Sequence, residues 1–114
     1  MSLQRDVLFV IKAPFEDGGA MWFCHDCAAM EGMLLANPQW AHHIDVRRIP
    51  FPRPRHDIIA LIGEENQSMP VLVMADDAKA PEGAMRAQGL AYLTNTRAIG
   101  RYLAGAHGGA GPHP

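Results

Sequence analysis

The sequence predicts a single α/β domain in which a βαβ unit is followed by a ββα unit, sharing a four-stranded mixed sheet with helices on both faces. Three observations lead there. The run "DVLFVIK" (6–12) is apolar without alternation, as a strand buried on both faces is. Extended and helical patterns then alternate, and two strands joined through a helix pair in parallel by a right-handed crossover. Later, "PVLVMAD" (70–76) and "GLAYLTN" (89–95) follow one another with no helix between them, so they read as a hairpin closed by the last helix.

The elements follow in order. "APFEDGGAMW" (13–22), with Pro14 and Gly18–Gly19, reads as a long turn-rich loop. "CHDCAAMEGMLLANP" (24–38) is helical, with Cys27, Met30, Leu34 and Leu35 on one side and Asn37–Pro38 as the stop. "HHIDVRRI" (42–49) is a second strand with an imperfect alternation. "PFPRPR" (50–55) excludes regular structure, and Pro54 suits the first turn of a short helix over 55–63 that ends at Gly63. Ile58, Leu61 and Ile62 face inward from it. Residues 77–87 read as a polar loop, and "TRAIGRYLAGAHG" (96–108) as a helix with Ile99, Tyr102 and Leu103 inward. One domain therefore covers 1–108, and 109–114 is a flexible tail.

A chain of 114 residues hides roughly two-thirds of its surface on folding, enough for one core. With 48% hydrophobic and 19% charged residues it is a globular composition. A net charge of −2 leaves no large basic surface for nucleic acid. The apolar runs are too short to cross a bilayer, so no membrane partner is expected. The opening "QRDVLFVIK" reads as a strand carrying Asp6 and Lys12 rather than as a secretory leader. A cytoplasmic location is the expectation, and there thiols stay reduced.

Cys24 and Cys27, in "FCHDC", carry the chemistry. A Cys-x-x-Cys pair beside a βαβ pattern signals a thioredoxin-like redox site. Cys24 would stand at the first turn of a helix, where unpaired N–H groups and the positive dipole end favour a thiolate, the reactive form. Cys27 would lie near enough to resolve a mixed disulfide. His25, if protonated, favours that thiolate, and Asp26 opposes it. Two rival uses stay open. Both cysteines can be small core residues, more easily for Cys27 on the apolar face. A zinc site would need four ligands, and His42, His43 and His56 are scattered, so no metal is expected.

Pro70 stands at the entry to a strand, one of the few places a sheet accepts proline. In the thioredoxin arrangement a cis-proline facing the cysteines occupies this place, and the preceding residue, here Met69, presents its main chain to a peptide or to glutathione. "LTNTRAIGRYLAGAHG" (93–108) is similar to the end of the N-terminal domain of glutathione S-transferases, with Asn95 and Thr96 opening the helix. A hydroxyl at a helix N-terminus suits a glutathione carboxylate. Asn95 is equally an ordinary N-cap.

"FCHDC", "FPRPRHDIIALIGEENQSMPVLV" and "LTNTRAI" together resemble a family of short bacterial thioredoxin-like proteins of unknown function, over nearly the whole chain. The resemblance implies the fold. The wider superfamily of thioredoxins, glutaredoxins and transferase N-domains implies thiol–disulfide or glutathione chemistry. The expected function is thus a glutaredoxin-type thiol–disulfide oxidoreductase. In it Cys24 is the nucleophile, Cys27 the resolver, Met69 and Pro70 align the substrate, and Asn95 and Thr96 help bind glutathione. No bound cofactor is expected. Glutathione would be a co-substrate, and the partner a small-molecule or protein disulfide. The alternative is a non-enzymatic binding, adaptor or redox-sensing module on the same fold.

The loop 13–23 is longer than in the relatives, and "HDC" replaces their intervening pairs. The helical second domain that gives glutathione transferases their electrophile pocket is not foreseen, which argues against transferase activity. Arg47, Arg48, Arg53 and Arg55 form a local basic cluster that suits an anionic partner or simply a solvated surface. Trp22 and Phe23 are read as an apolar rim or as core residues fixing the loop, with at least one in the core. Met30, Met33 and Met69 read as packing.

Overall fold

In the computed structural model, which describes residues 3–114, the first apolar run forms β1 (Val7–Ile11), buried along its whole length. The segment that follows is not a loop. It folds back on itself as the hairpin β2 (Phe15–Asp17) and β3 (Ala20–Trp22), paired antiparallel as a small sheet of their own. The cause is local. Gly18 and Gly19 both hold positive φ, 62° and 83°, the conformation a two-residue hairpin turn requires.

Next comes α1 (His25–Ala36), with Cys24 as its N-cap and Asn37 as its C-cap, followed by a 3-10 turn over Pro38–His42. α1 buries Cys27 and Met30, whereas Leu35, expected inward, is 84% exposed. Twelve residues make just over three turns, and Leu35 falls a third of a turn beyond the seam that Met30 and Leu34 follow. β4 (Asp45–Ile49) then pairs parallel with β1, completing the βαβ crossover. α2 (His56–Ile62) starts later than foreseen. Arg55 caps it, so Pro54 lies outside the first turn, joined to Arg53 by a cis peptide bond.

β5 (Val71–Val73) runs antiparallel to β1. The stretch read as a polar loop contains a short 3-10 turn, Asp77–Lys79, and a strand, β6 (Met85–Ala87), that pairs with β7 (Leu90–Leu93) across a tight turn at Gln88–Gly89. α3 (Thr96–His107) closes the fold. The main sheet therefore has five strands, not four, in the order β4-β1-β5-β7-β6.

Alternation along the strands divides the core in two. Leu8 and Val10, with Leu72, Ala91 and Leu93, face α1 and α3 and pack with Cys27, Met30, Ile99 and Leu103. Val7 and Phe9, with Val71, Val73 and Tyr92, face α2 and pack with Ile58, Leu61 and Ile62. Helices thus cover both faces, as expected.

The two outer strands carry arginines held by neighbours. On β4, Arg47 pairs with Asp45 at 3.0 Å and Arg48 with Glu31 of α1 at 2.8 Å. On β6, Arg86 pairs with Asp77 at 3.1 Å. Residues after α3 lie against α1 and the 3-10 turn. The Asn37 amide exchanges two hydrogen bonds with Ala110, at 2.7 and 3.0 Å, and the Trp40 indole donates to the Gly108 carbonyl at 2.7 Å. No helix among the described residues is long and apolar enough to cross a membrane.

Candidate functional site

β1 ends beneath the start of α1, and the hairpin delivers the chain from one to the other. Cys24 is consequently half-buried at the N-cap, in extended conformation (φ −77°, ψ 121°). Its sulfur accepts the backbone N–H of Cys27 at 3.2 Å, the capping bond usually made by a serine or aspartate oxygen. The Cys24 sulfur is therefore a hydrogen-bond acceptor at the positive end of a helix.

Cys27 is 2% exposed, and its own sulfur accepts the Ile11 N–H at 3.4 Å, which ties α1 to the end of β1. Burial pushes its thiol from 9.0 up to about 12, against the pull of the Ile11 N–H. The neighbouring Cys24 and Asp26 add to the rise. The pair is asymmetric. One free thiol is reachable, and the other is buried and held protonated.

Arg55 brings the third part. It is 7% exposed, and its guanidinium donates through Nε and Nη2 to the Phe51 carbonyl at 3.0 and 2.6 Å and through Nη1 to the Gln67 carbonyl at 2.7 Å. Its backbone N–H donates to Gln67 Oε1 at 2.8 Å. No carboxylate pairs with it among the described residues. Burial, then Arg53, depress its pKa, while the charges of Cys27 and Cys24 raise it. The guanidinium thus feels charge at the two thiols. Phe51, whose carbonyl holds Arg55, stacks on Phe15 of the hairpin with ring centroids 4.3 Å apart. Sequence reading placed Arg55 in an undifferentiated basic cluster.

Met69–Pro70 is a cis peptide bond at the entry to β5, with Pro70 buried and Met69 half-buried. Met69 and Cys24 rest against the same core cluster that contains Cys27. Asn95 is otherwise engaged. Its side-chain oxygen accepts the Ala98 N–H at 2.9 Å as the N-cap of α3, and Thr96, half-buried, makes no side-chain hydrogen bond among the described residues. Asn95 borders a cavity of about 380 Å³ between α3 and the 81–85 segment, lined also by Met85, Leu93, Arg101 and Tyr102 but by neither cysteine.

Trp22 and Phe23 are both on the surface, 53% and 66% exposed, so neither fixes the loop from within the core. Anchoring falls to the Phe15–Phe51 stack, while the Trp22 indole braces the hairpin internally by donating to the Asp17 carbonyl at 2.8 Å. His42, His43 and His56 are exposed, and no group of three or more His, Cys, Asp or Glu among the described residues is arranged to hold a metal.

Fold and site together define a mixed α/β protein with a Cys-x-x-Cys pair at the cap of α1 and a cis-proline at the entry to β5. The chain belongs to the family described as protein of unknown function (DUF3088), whose model matches residues 5–111. No curated protein and no solved structure matched it.

Proposed function

We propose that this protein is a thioredoxin-like thiol–disulfide oxidoreductase of glutaredoxin type working in a reducing compartment. The observation that carries the reading is the asymmetry of the pair. Cys24 is half-buried and its sulfur accepts a backbone N–H at a helix N-cap, and Cys27 is buried three residues on. The strand order supports the fold assignment. A parallel β1–β4 pair continued antiparallel through β5 and β7 is what a βαβ unit followed by a ββα unit makes, with β6 added at the edge.

The Cys24 thiolate attacks one sulfur of a substrate disulfide, and the other sulfur leaves as a thiolate that takes a proton. Cys27 then gives up its proton and attacks the Cys24 sulfur. The second substrate thiol departs, and a Cys24–Cys27 disulfide remains. Two electrons have passed to the substrate. Two glutathione molecules return them, becoming glutathione disulfide. The main chain of Met69, beside the cis bond, aligns the incoming disulfide. Asn95 and Thr96, as the N-terminus of α3, remain the candidates for a glutathione carboxylate, through backbone N–H groups because the Asn95 oxygen is already bonded.

One observation favours a second reading, a redox-sensing or adaptor module. A Cys27 thiol held protonated up to about 12 resolves a mixed disulfide slowly, so a glutathione adduct on Cys24 would persist. Titration of the purified chain against glutathione and its disulfide, followed by peptide mass spectrometry, decides. A reversible Cys24–Cys27 disulfide, with exchange activity lost in Cys24→Ser, supports the oxidoreductase. A stable adduct confined to Cys24, without turnover, supports the sensor. Two unmodified thiols across the range would sink both.

A further inference from the structure

Met21, Trp22 and Phe23 are successive, large and apolar, and 63%, 53% and 66% exposed. Scattered apolar residues on a surface need no explanation, but a contiguous group rimmed by polar residues marks an interaction site. This one occupies a two-stranded ribbon, an element of marginal stability by itself, that the chain holds in place with the Phe15–Phe51 stack. The ribbon ends at Trp22, two residues before Cys24.

The ladder of the ribbon is open. Its two-residue turn makes Asp17 and Ala20 the hydrogen-bonded closing pair, so Glu16 and Met21 form a non-bonded pair and Phe15 and Trp22 a bonded one. The N–H and C=O of Met21 therefore point away from β2, and among the described residues β2 is the only strand that pairs with β3. Alternation puts Met21 and Phe23 on one face of the ribbon and Trp22 on the other. A strand laid beside β3 would meet apolar surface on both faces.

Charge selects among such strands. Between Phe15 and Asp26 lie Glu16, Asp17 and Asp26 and no lysine or arginine. All three carboxylates are exposed, and none is in an ion pair among the described residues.

We propose that the 15–23 hairpin is a docking ribbon for an extended protein segment with apolar side chains interleaved with lysine or arginine, which pairs with the open edge of β3. Docking needs no redox chemistry. Its use, bringing a protein disulfide to Cys24 about 10 Å along the strand, rests on the oxidoreductase reading.

The probe is an end-blocked, cysteine-free octapeptide alternating leucine with lysine, titrated into the full-length chain while amide NMR shifts and Trp22 emission are followed. The controls are the same peptide with glutamate for lysine and one N-methylated on alternate residues. The lysine peptide is expected to bind at least tenfold more tightly than either control, to perturb Met21–Phe23, and to weaken with added salt. Met21→Ser with Phe23→Ser should cut its affinity at least tenfold, and two-dimensional spectra would verify that this surface variant is folded. Equal affinity for the lysine and glutamate peptides, no binding, or shifts elsewhere would overturn the proposal. So would self-association of the chain through this ribbon in place of peptide binding. The Cys24→Ser chain separates the two ideas. Docking should persist in it, so an inert thiol defeats the oxidoreductase reading alone and an indifferent peptide defeats the docking alone.

Discussion

A buried guanidinium that donates only to carbonyl oxygens is unusual, and Arg55, lying 5.5 Å from the centre of the Phe51 ring, is one. Its N–H groups are satisfied by Phe51 and Gln67, yet its charge has no carboxylate to balance it among the described residues. Negative charge forming on Cys24 would supply that balance. Arg55→Met is expected to slow alkylation of Cys24 by iodoacetamide at neutral pH by about tenfold. Arg55→Lys should keep reactivity within about twofold while losing the fork geometry, at a cost of about 2 kcal/mol in urea denaturation. An Arg55→Met chain that is folded and alkylates like the parent would remove Arg55 from the site. Cys27 makes a second prediction. The unfolded chain releases this proton above about 9.0, and the folded chain keeps it to about 12. The unfolded state is thereby favoured progressively over that window, so stability is intact below it and falls as pH rises through it. Tyr102, raised by burial and then by Asp6, acts with the same sign above 10.0. Thermal midpoints should hold to about pH 8.5 and decline beyond, less steeply in Cys27→Ala. The cysteine pair was legible because its spacing alone carries meaning. Arg55 was not, since its burial depends on two carbonyls that only the folded chain brings together.

The elements owe their ends to particular side chains. α1 stops at Asn37, whose amide donates to the Met33 carbonyl at 3.0 Å and clasps Ala110, 73 residues away. Asn37→Ala removes all three bonds from a site 2% exposed. It should lower stability by about 2–3 kcal/mol and speed hydrogen exchange at the Ala110 amide by about tenfold or more. Unchanged exchange there would mean that Trp40 alone holds the segment. The stop at Asn37–Pro38 could be read from the sequence, but its distant partner could not. The hairpin and β6 escaped for a different reason. Three-residue strands are too short to show a period, and glycines in a polar stretch signal a turn without saying that strands flank it. β1, at five apolar residues, had no such ambiguity.

For the molecule as a whole, Asp6 joins elements that the chain order keeps apart. Its carboxylate, 6% exposed, accepts the Ala75 N–H at 2.8 Å, the Tyr102 hydroxyl at 3.0 Å and His107 Nε2 at 3.2 Å, and its backbone carbonyl accepts the Asp45 N–H at 2.9 Å. The exit of β5, the body of α3 and the start of β1 meet there. Asp6→Ala strands these donors and is expected to cost about 3 kcal/mol, measured by urea denaturation, with Asp6→Asn retaining part of it. A loss below about 1 kcal/mol would mean that water replaces the carboxylate without penalty. This junction was invisible in the sequence, where Asp6 marked only the polar start of a strand. The unit order, by contrast, was legible from hydrophobic patterning, because parallel and antiparallel pairing follow from whether a helix intervenes.

The arginines on β4 and β6 have a consequence for crowded solutions. Both rims of the five-stranded sheet carry ion-paired arginines that an approaching strand would have to strip of water, so the sheet is a poor template for end-to-end growth into fibrils. The open edge of β3 has no arginine or lysine of this kind. If copies of this chain were ever to stick together as strands, they would begin at the ribbon beside Cys24, and a segment docked there would act as a stopper.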